Sequence, residues 1–342
     1  MVGPLQGAGA AGPRMRLCLI GCGEHARVAH GPAQARCAAE RPGLELAGCC
    51  DLDEERAESH RRDFGFARAY TDAVAMLETE RPDAACLVVP IEKTCGLACA
   101  VLERGIPLLV EKPPGKTVED VDALIAASEK GGSVVPHLVA FNRRFAPLVR
   151  ELRRRLDSAP AVQHVHYEMT RVDRRDPDFS ATAVHGIDAV RFVAGSDYAH
   201  VRFRYVPLPE LGPGVANVFM DAVMSSGASA HLAFCPVAGV VVERAAVHAR
   251  DESFYISVPM WAAFDSPGRL QHLVRSTLAE EVAGDALPDG AALFEAGGFH
   301  AEHVAFLDAL EAGRPPAPGF RESRQSVDVA AHIRRRESEY RA

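Results

Sequence analysis

Through the first 136 residues, short apolar runs alternate with amphipathic stretches. The run RLCLI at 16–20 is strand-like and ends at Gly21. A helical stretch opens near Ala26, breaks at Gly31 and resumes with Pro32 in a first-turn position, where proline is tolerated. LELAGCC at 44–50 is a second strand, followed by a charged helix over 53–62. Thr71 and Asp72 cap a helix over 73–80, and 84–89 is a third, buried strand ending at Pro90. A helix over 94–104 stops at Gly105, a strand follows at 108–110, a helix at 117–130 and a last short strand at 134–135. Strands alternating with helices predict a parallel sheet covered on both faces. Its crossovers are right-handed and its ligands bind at the carboxyl ends of the strands.

Beyond that point the period changes. Polar and apolar residues alternate over 162–172 and again around Val201, Phe203 and Tyr205. Further strand-like runs lie at 216–224, 230–234, 239–247 and 254–258. This predicts a largely antiparallel sheet with one polar-tending face. Two helices, 302–313 and 324–339, flank the proline-rich turn at 315–318. The expected class is α/β: a doubly wound parallel sheet of Rossmann type, then an α+β domain with a large, mostly antiparallel open sheet. The expected division is a disordered tail at 1–14, a nucleotide-binding domain at 15–136 and a substrate and oligomerisation domain at 137–342.

Composition narrows the partners. The 342 residues are 48% hydrophobic and 25% charged, with a net charge of −8, which argues against nucleic acid or an anionic membrane as partner. The arginine runs at 153–155 and 334–336 are diluted by nearby acids and read as solvated helix faces. Nine cysteines show no disulfide framework: Cys18, Cys49, Cys50 and Cys86 sit in strand-like runs as small hydrophobes. Cys95 and Cys99 have helical spacing but no second pair of ligands. The pairs His164/His166 and His300/His303 are likewise incomplete, so no metal is expected. A reducing, cytoplasmic setting fits, and no apolar run is long enough for a membrane span. Residues 1–14 lack the features of a signal peptide, and Met15 is a possible start.

The candidate chemistry starts at the first strand–helix turn, Gly21-Cys22-Gly23-Glu24-His25-Ala26, a G-x-G-x-x-A pattern. Gly21 allows a tight turn, Gly23 lets backbone approach a pyrophosphate, and Ala26 lets the helix lie close to the strand. The helix N-terminus favours phosphate. Glu24 and His25 belong to the same candidate cofactor-binding turn. Asp51, ending the second strand, suits ribose hydroxyls and repels a 2′-phosphate, which favours NAD over NADP; Arg56 is the residue that argues the other way. Pro90 and Glu111, at the ends of later strands, join the expected cofactor edge. Lys112 follows at the carboxyl end of a parallel strand, where a nicotinamide should lie.

GCGEHA, Asp51, EKPPG at 111–115 and FNRRF at 141–145 together resemble the glucose-fructose oxidoreductase / inositol dehydrogenase / rhizopine catabolism family, written Gfo/Idh/MocA, from about residue 16 to the C-terminus. The resemblance implies a catalytic, substrate-positioning Lys112 and a cis Lys112–Pro113 bond; Glu111 is expected to orient Lys112 or the adjacent loop. The resemblance also implies that the segment DFSATAVHGIDAVRFVAG at 178–195 is the second catalytic helix. There His185 would take the hydroxyl proton and Asp188 would position the helix or touch substrate. Asn142 and Arg143 would bind substrate, while Arg144 would pack or bridge between domains. Two departures stand out: Ala181 replaces an expected aspartate, with Asp178 as a possible substitute, and Thr94 replaces an expected histidine. The implied activity is NAD(P)-dependent hydride transfer at a hydroxyl-bearing carbon of a sugar, polyol or related compound. A redox-neutral lyase, glycosidase or epimerase with tightly held NAD, and a non-enzymatic ligand sensor, are the alternatives. A homo-oligomer, dimer or tetramer, is expected through the C-terminal sheet.

Overall fold

A computed structural model describes residues 15–261, 263–289 and 292–342. The tail expected at 1–14 lies outside the described residues. The first unit runs β1 (Met15–Ile20), a wide π-helical turn (Ala26–His30) continuing into α1 (Gly31–Glu40), β2 (Leu44–Cys50), α2 (Glu54–Phe64), β3 (Arg68–Tyr70), α3 (Ala73–Glu80), β4 (Ala84–Leu87), α4 (Ile91–Leu102), β5 (Leu108–Glu111), α5 (Val118–Glu129) and β6 (His137–Ala140). The strands form one parallel sheet in the order β3-β2-β1-β4-β5-β6. This is a doubly wound Rossmann sheet, with β1 and β4 at the switch point. Helix starts follow their caps. The carboxylates of Asp53 and Asp72 each accept from two N–H groups in the first turn of α2 and α3, and Thr117 with Asp120 closes a capping box on α5.

The second unit contains α6 (Pro147–Leu156), β7 (Val162–Thr170), α7 (Ser180–Ala194), β8 (Tyr198–Pro207), β9 (Ala216–Met224), β10 (Ser229–Cys235), β11 (Val242–Ala249), β12 (Glu252–Ser257), β13 (Arg269–Val274) and β14 (Thr277–Ala283). It closes with α8 (Leu293–Ala296), α9 (Phe299–Glu311), α10 (Phe320–Arg334) and β15 (Glu339–Arg341). The nine-stranded sheet has the order β14-β13-β12-β11-β7-β10-β9-β8-β15 and is antiparallel except for the β7–β10 pair. Helix α7 is almost wholly buried. A Cβ added at Gly186 would lie 2.7 Å from the Tyr167 ring and 2.8 Å from that of Phe234, so the helix presses directly onto the sheet.

Several expectations need correction. The strand expected at 134–135 lies at His137–Ala140 instead: Val135 N–H closes the end of α5 on Ser128, and Pro136 has no N–H to give a ladder. Because β6 pairs with β5, the first sheet runs past the boundary expected at residue 136. The helix does not break at Gly31 but passes through it. The strands β3, β13, β14 and β15, at or next to a sheet edge, carry too little apolar alternation to be visible in sequence. All nine cysteines are free. Among the described residues no helix is long and apolar enough to cross a membrane.

Candidate active site

The turn after β1 has the shape that its glycines suggest. Gly21 has φ of +96°, and a Cβ there would fall 1.9 Å from the carbonyl oxygen of Val88, so only glycine fits. At Gly23 no other atom lies within 4 Å of a Cβ position, which leaves the backbone open to an approaching group. Ala26 is fully buried against the sheet. The Asp51 carboxylate accepts from the N–H of Cys22 at 2.9 Å and of Asp53 at 3.0 Å, which fixes it beside this turn. Glu24 is exposed and lines a groove with Arg27, Arg56 and Ser59. A tight glycine turn, open backbone and an anchored acid at the end of β2 fit a dinucleotide.

Pro90 is exposed just beyond β4, at the start of α4, where Thr94 donates to its carbonyl at 3.3 Å. At the end of β5, Glu111 Oε1 lies 2.8 Å from His25 Nε2 and 3.0 Å from His30 Nε2. Burial alone would raise this carboxyl, but His25, His30 and Lys112 outweigh it and hold it well below the usual range. The next peptide bond, Lys112–Pro113, is cis. Lys112 reaches toward α7, with its Nζ 3.4 Å from the carbonyl oxygen of Ala181. A backbone oxygen therefore meets the ammonium at the position where the sequence lacks an aspartate. Burial brings the Lys112 pKa down to about 8, against the pull of Glu111 and with help from Arg143, Arg174 and Arg171. Asp178 does not substitute for the missing acid: α7 starts after it, and its exposed carboxylate accepts from Ser180 N–H at 2.8 Å.

His185 lies one helical turn beyond Ala181. Arg143 Nη1 is 3.0 Å from its Nδ1 and 3.2 Å from its Nε2. Arg143 is itself held by Glu243 on β11, through Nε at 2.9 Å and Nη2 at 3.0 Å. Glu243 also accepts from Arg171 Nη2 at 2.7 Å and from the Tyr167 hydroxyl. Burial would raise the Glu243 carboxyl; Arg143 and Arg171 outweigh it and keep it far below the usual range. His185 is pushed well below its ordinary value by burial, then by Arg143, Lys112 and Arg171. It is therefore neutral across the working pH range.

The structure thus brings Lys112, His185, Arg143, Glu111 and His25 into one region. Asn142 adjoins them, but its side chain is occupied: its amide donates to the Gly297 carbonyl at 2.8 Å and its oxygen accepts from Arg143. Asp188 is fully buried on a different set of partners, Arg144 at 2.7 and 2.8 Å and Ser326 at 3.0 Å. Its geometry is that of a helix anchor, one of the two roles expected of it. Sequence reading missed Glu243, Arg171, Tyr167 and His30. Glu243 is 100 residues from Arg143, and no local spacing signals the pair.

Residues 15–137 match the sequence model of an oxidoreductase family described by its NAD-binding Rossmann fold. D-apiose dehydrogenase of Paraburkholderia graminis is 31% identical over 143 residues, 42% of this chain and 36% of that protein. Inositol 2-dehydrogenase 2 of Saccharopolyspora erythraea is 28% identical over 54% of this chain and 55% of its own length. The chain thus spans about half, or less, of the length of these curated relatives. Among solved structures, levoglucosan dehydrogenase in complex with NADH superposes with a TM-score of 0.79 at 18% identity, covering 96% of this chain and 99% of that one. UDP-N-acetylglucosamine 3-dehydrogenase of Acidithiobacillus ferrooxidans does so with a TM-score of 0.79 at 22% identity, covering 95% and 98%. At these identities the structural likeness establishes the fold. By sequence, residues 15–137 match the NAD-binding Rossmann-fold domain of the Gfo/Idh/MocA oxidoreductases.

Proposed function

We propose that the protein is an NAD-dependent dehydrogenase that oxidises a hydroxyl-bearing carbon of a sugar, polyol or related compound. The observation that carries this reading is the pairing of a depressed-pKa Lys112, at the carboxyl end of β5, with a buried neutral His185 on the facing helix. When bound, NAD supplies the hydride acceptor. The residues of this chain bind the hydroxyl and remove its proton. The resemblance gave the proton to His185, but Arg143 beside both ring nitrogens opposes an imidazolium there. Lys112, with a pKa of about 8, is better matched to accept a proton near neutrality. His185 then serves as a neutral hydrogen-bonding partner for the hydroxyl, and the protonated Lys112 stabilises the developing negative oxygen. Asp51 beside the glycine turn supports NAD over NADP.

The relatives' names, D-apiose and inositol dehydrogenases, support a sugar-like substrate. The open face of the nine-stranded sheet carries Phe219, Val223 and Tyr255 beside the stacked pairs His164–His248 and His166–His231, and we assign it as the subunit interface of a homo-oligomer. The test of the activity is incubation with sugars and polyols, with NAD and NADP supplied separately. Accumulation of reduced NAD supports the proposal. Turnover with tightly held NAD and no net reduction would place the protein among redox-neutral enzymes instead.

A further inference from the structure

Behind the nucleotide turn, three elements bring metal-ligating atoms together in the interior. His30 ends the π-helical turn, Cys86 lies in β4 and His303 in α9; their exposures are 0%, 0% and 1%. His30 Nδ1 is 3.0 Å from His303 Nε2 and 3.9 Å from Cys86 Sγ, and all three ligand atoms lie within 4.8 Å of one another. Zinc bonds of about 2.0–2.1 Å to nitrogen and about 2.3 Å to sulfur, at tetrahedral angles, separate such atoms by about 3.3–3.6 Å. The observed spacings bracket that range.

The surroundings point the same way. His30 Nε2 is 3.0 Å from Glu111, and a proton held there leaves Nδ1 as a lone pair directed at the other two groups. Orientation of a ligating imidazole by a carboxylate on its other nitrogen is the usual outer arrangement of a zinc site. Glu302, adjacent to His303 in α9, is fully buried, and neither carboxylate oxygen has a hydrogen-bond partner. A buried carboxylate without a partner is costly unless a cation or a proton neutralises it. A thiolate and a carboxylate together balance one divalent ion. Thiolate with imidazole favours zinc over magnesium or calcium.

We propose that Cys86, His30 and His303 bind a zinc ion, with Glu302 supplying the balancing charge. The site is enclosed, so its role is structural: it pins α9 to the β4 strand and the first helix, behind the nucleotide turn. The sequence pair His300/His303 lacked partners because they come from β4 and the first helix, more than 200 residues earlier.

The full chain is to be produced with zinc in the medium, purified without chelator and analysed for metal, then exchanged into cobalt(II). About one zinc per chain is expected, with a thiolate-to-cobalt absorption band in the exchanged protein. Cys86→Ser should abolish the band, and His303→Ala should lower the metal content at least tenfold, whereas Lys112→Ala should retain both. A parent protein that takes up no stoichiometric zinc and shows no charge-transfer band overturns the proposal, and that result does not depend on whether the variants fold. Retention of the band in folded Cys86→Ser also overturns it.

Discussion

At the residue scale the decisive contrast is between two nitrogen bases. Lys112 is lowered to about 8 and His185 is pushed well below its usual value, each chiefly by burial. If neutral Lys112 accepts the proton, alcohol oxidation is slow where Lys112 is protonated, rises through an apparent pKa near 8, and levels above it. A kcat/KM profile measured against pH checks this. A profile flat from pH about 6 to about 9 would remove Lys112 as the base. The residues carrying this chemistry were legible to different degrees. Gly21, Gly23, Asp51 and Lys112 announce themselves through a strand–turn–helix context and strand-end position. Glu243 and His30 do not, because their partners meet them only through tertiary packing. The same packing occupies Asn142 and Asp188, which sequence reading offered to the substrate.

At the element scale, α7 and β11 hold the site between them. Helix α7 is fixed by Asp188 to Arg144 and Ser326, and β11 contributes the carboxylate that orients Arg143 and Arg171. Glu243→Gln leaves two buried guanidinium groups without their counter-charge, which should cost about 3–5 kcal/mol of stability. The sign with pH follows from the depressed carboxyl. The stability that Glu243 contributes is complete above the unfolded pKa of about 4.3 and is lost as pH falls through its folded-state value. The gap between parent and variant in urea unfolding should therefore stay constant above pH about 5 and narrow in acid. A gap that persists unchanged in acid would contradict the ion-pair account. Element boundaries were read best where a cap or a run of apolar residues marks them, as at Asp72 for α3 and 44–50 for β2. They were missed at β3, β13 and β14, which lie at or next to a sheet edge, where little apolar patterning is demanded.

At the scale of the whole molecule, the chain returns to its beginning. Helices α9 and α10 pack against the first unit: His303 meets His30, and Arg324 pairs with Asp122 at 2.7 Å. This return explains why a division at residue 136 describes the sequence better than the structure. It leaves the nine-stranded sheet with one face covered by α7 and the other open. Sedimentation should give a mass of two or four chains, and Tyr255→Glu on the open face should shift it toward one. A parent that sediments as a single chain at all concentrations would count against the assigned interface.

The central claim is hydride transfer from a hydroxyl-bearing carbon with Lys112 handling the proton. Its most direct test is the absorbance of reduced nicotinamide during incubation of parent and Lys112→Ala with NAD and a panel of sugars and polyols, after NAD binding by both has been measured. The account predicts NADH from at least one compound with the parent, and a rate at least about 100-fold lower with the variant, at similar NAD affinity. A parent that binds NAD yet reduces it with none of the compounds, or a variant as fast as the parent, would contradict it.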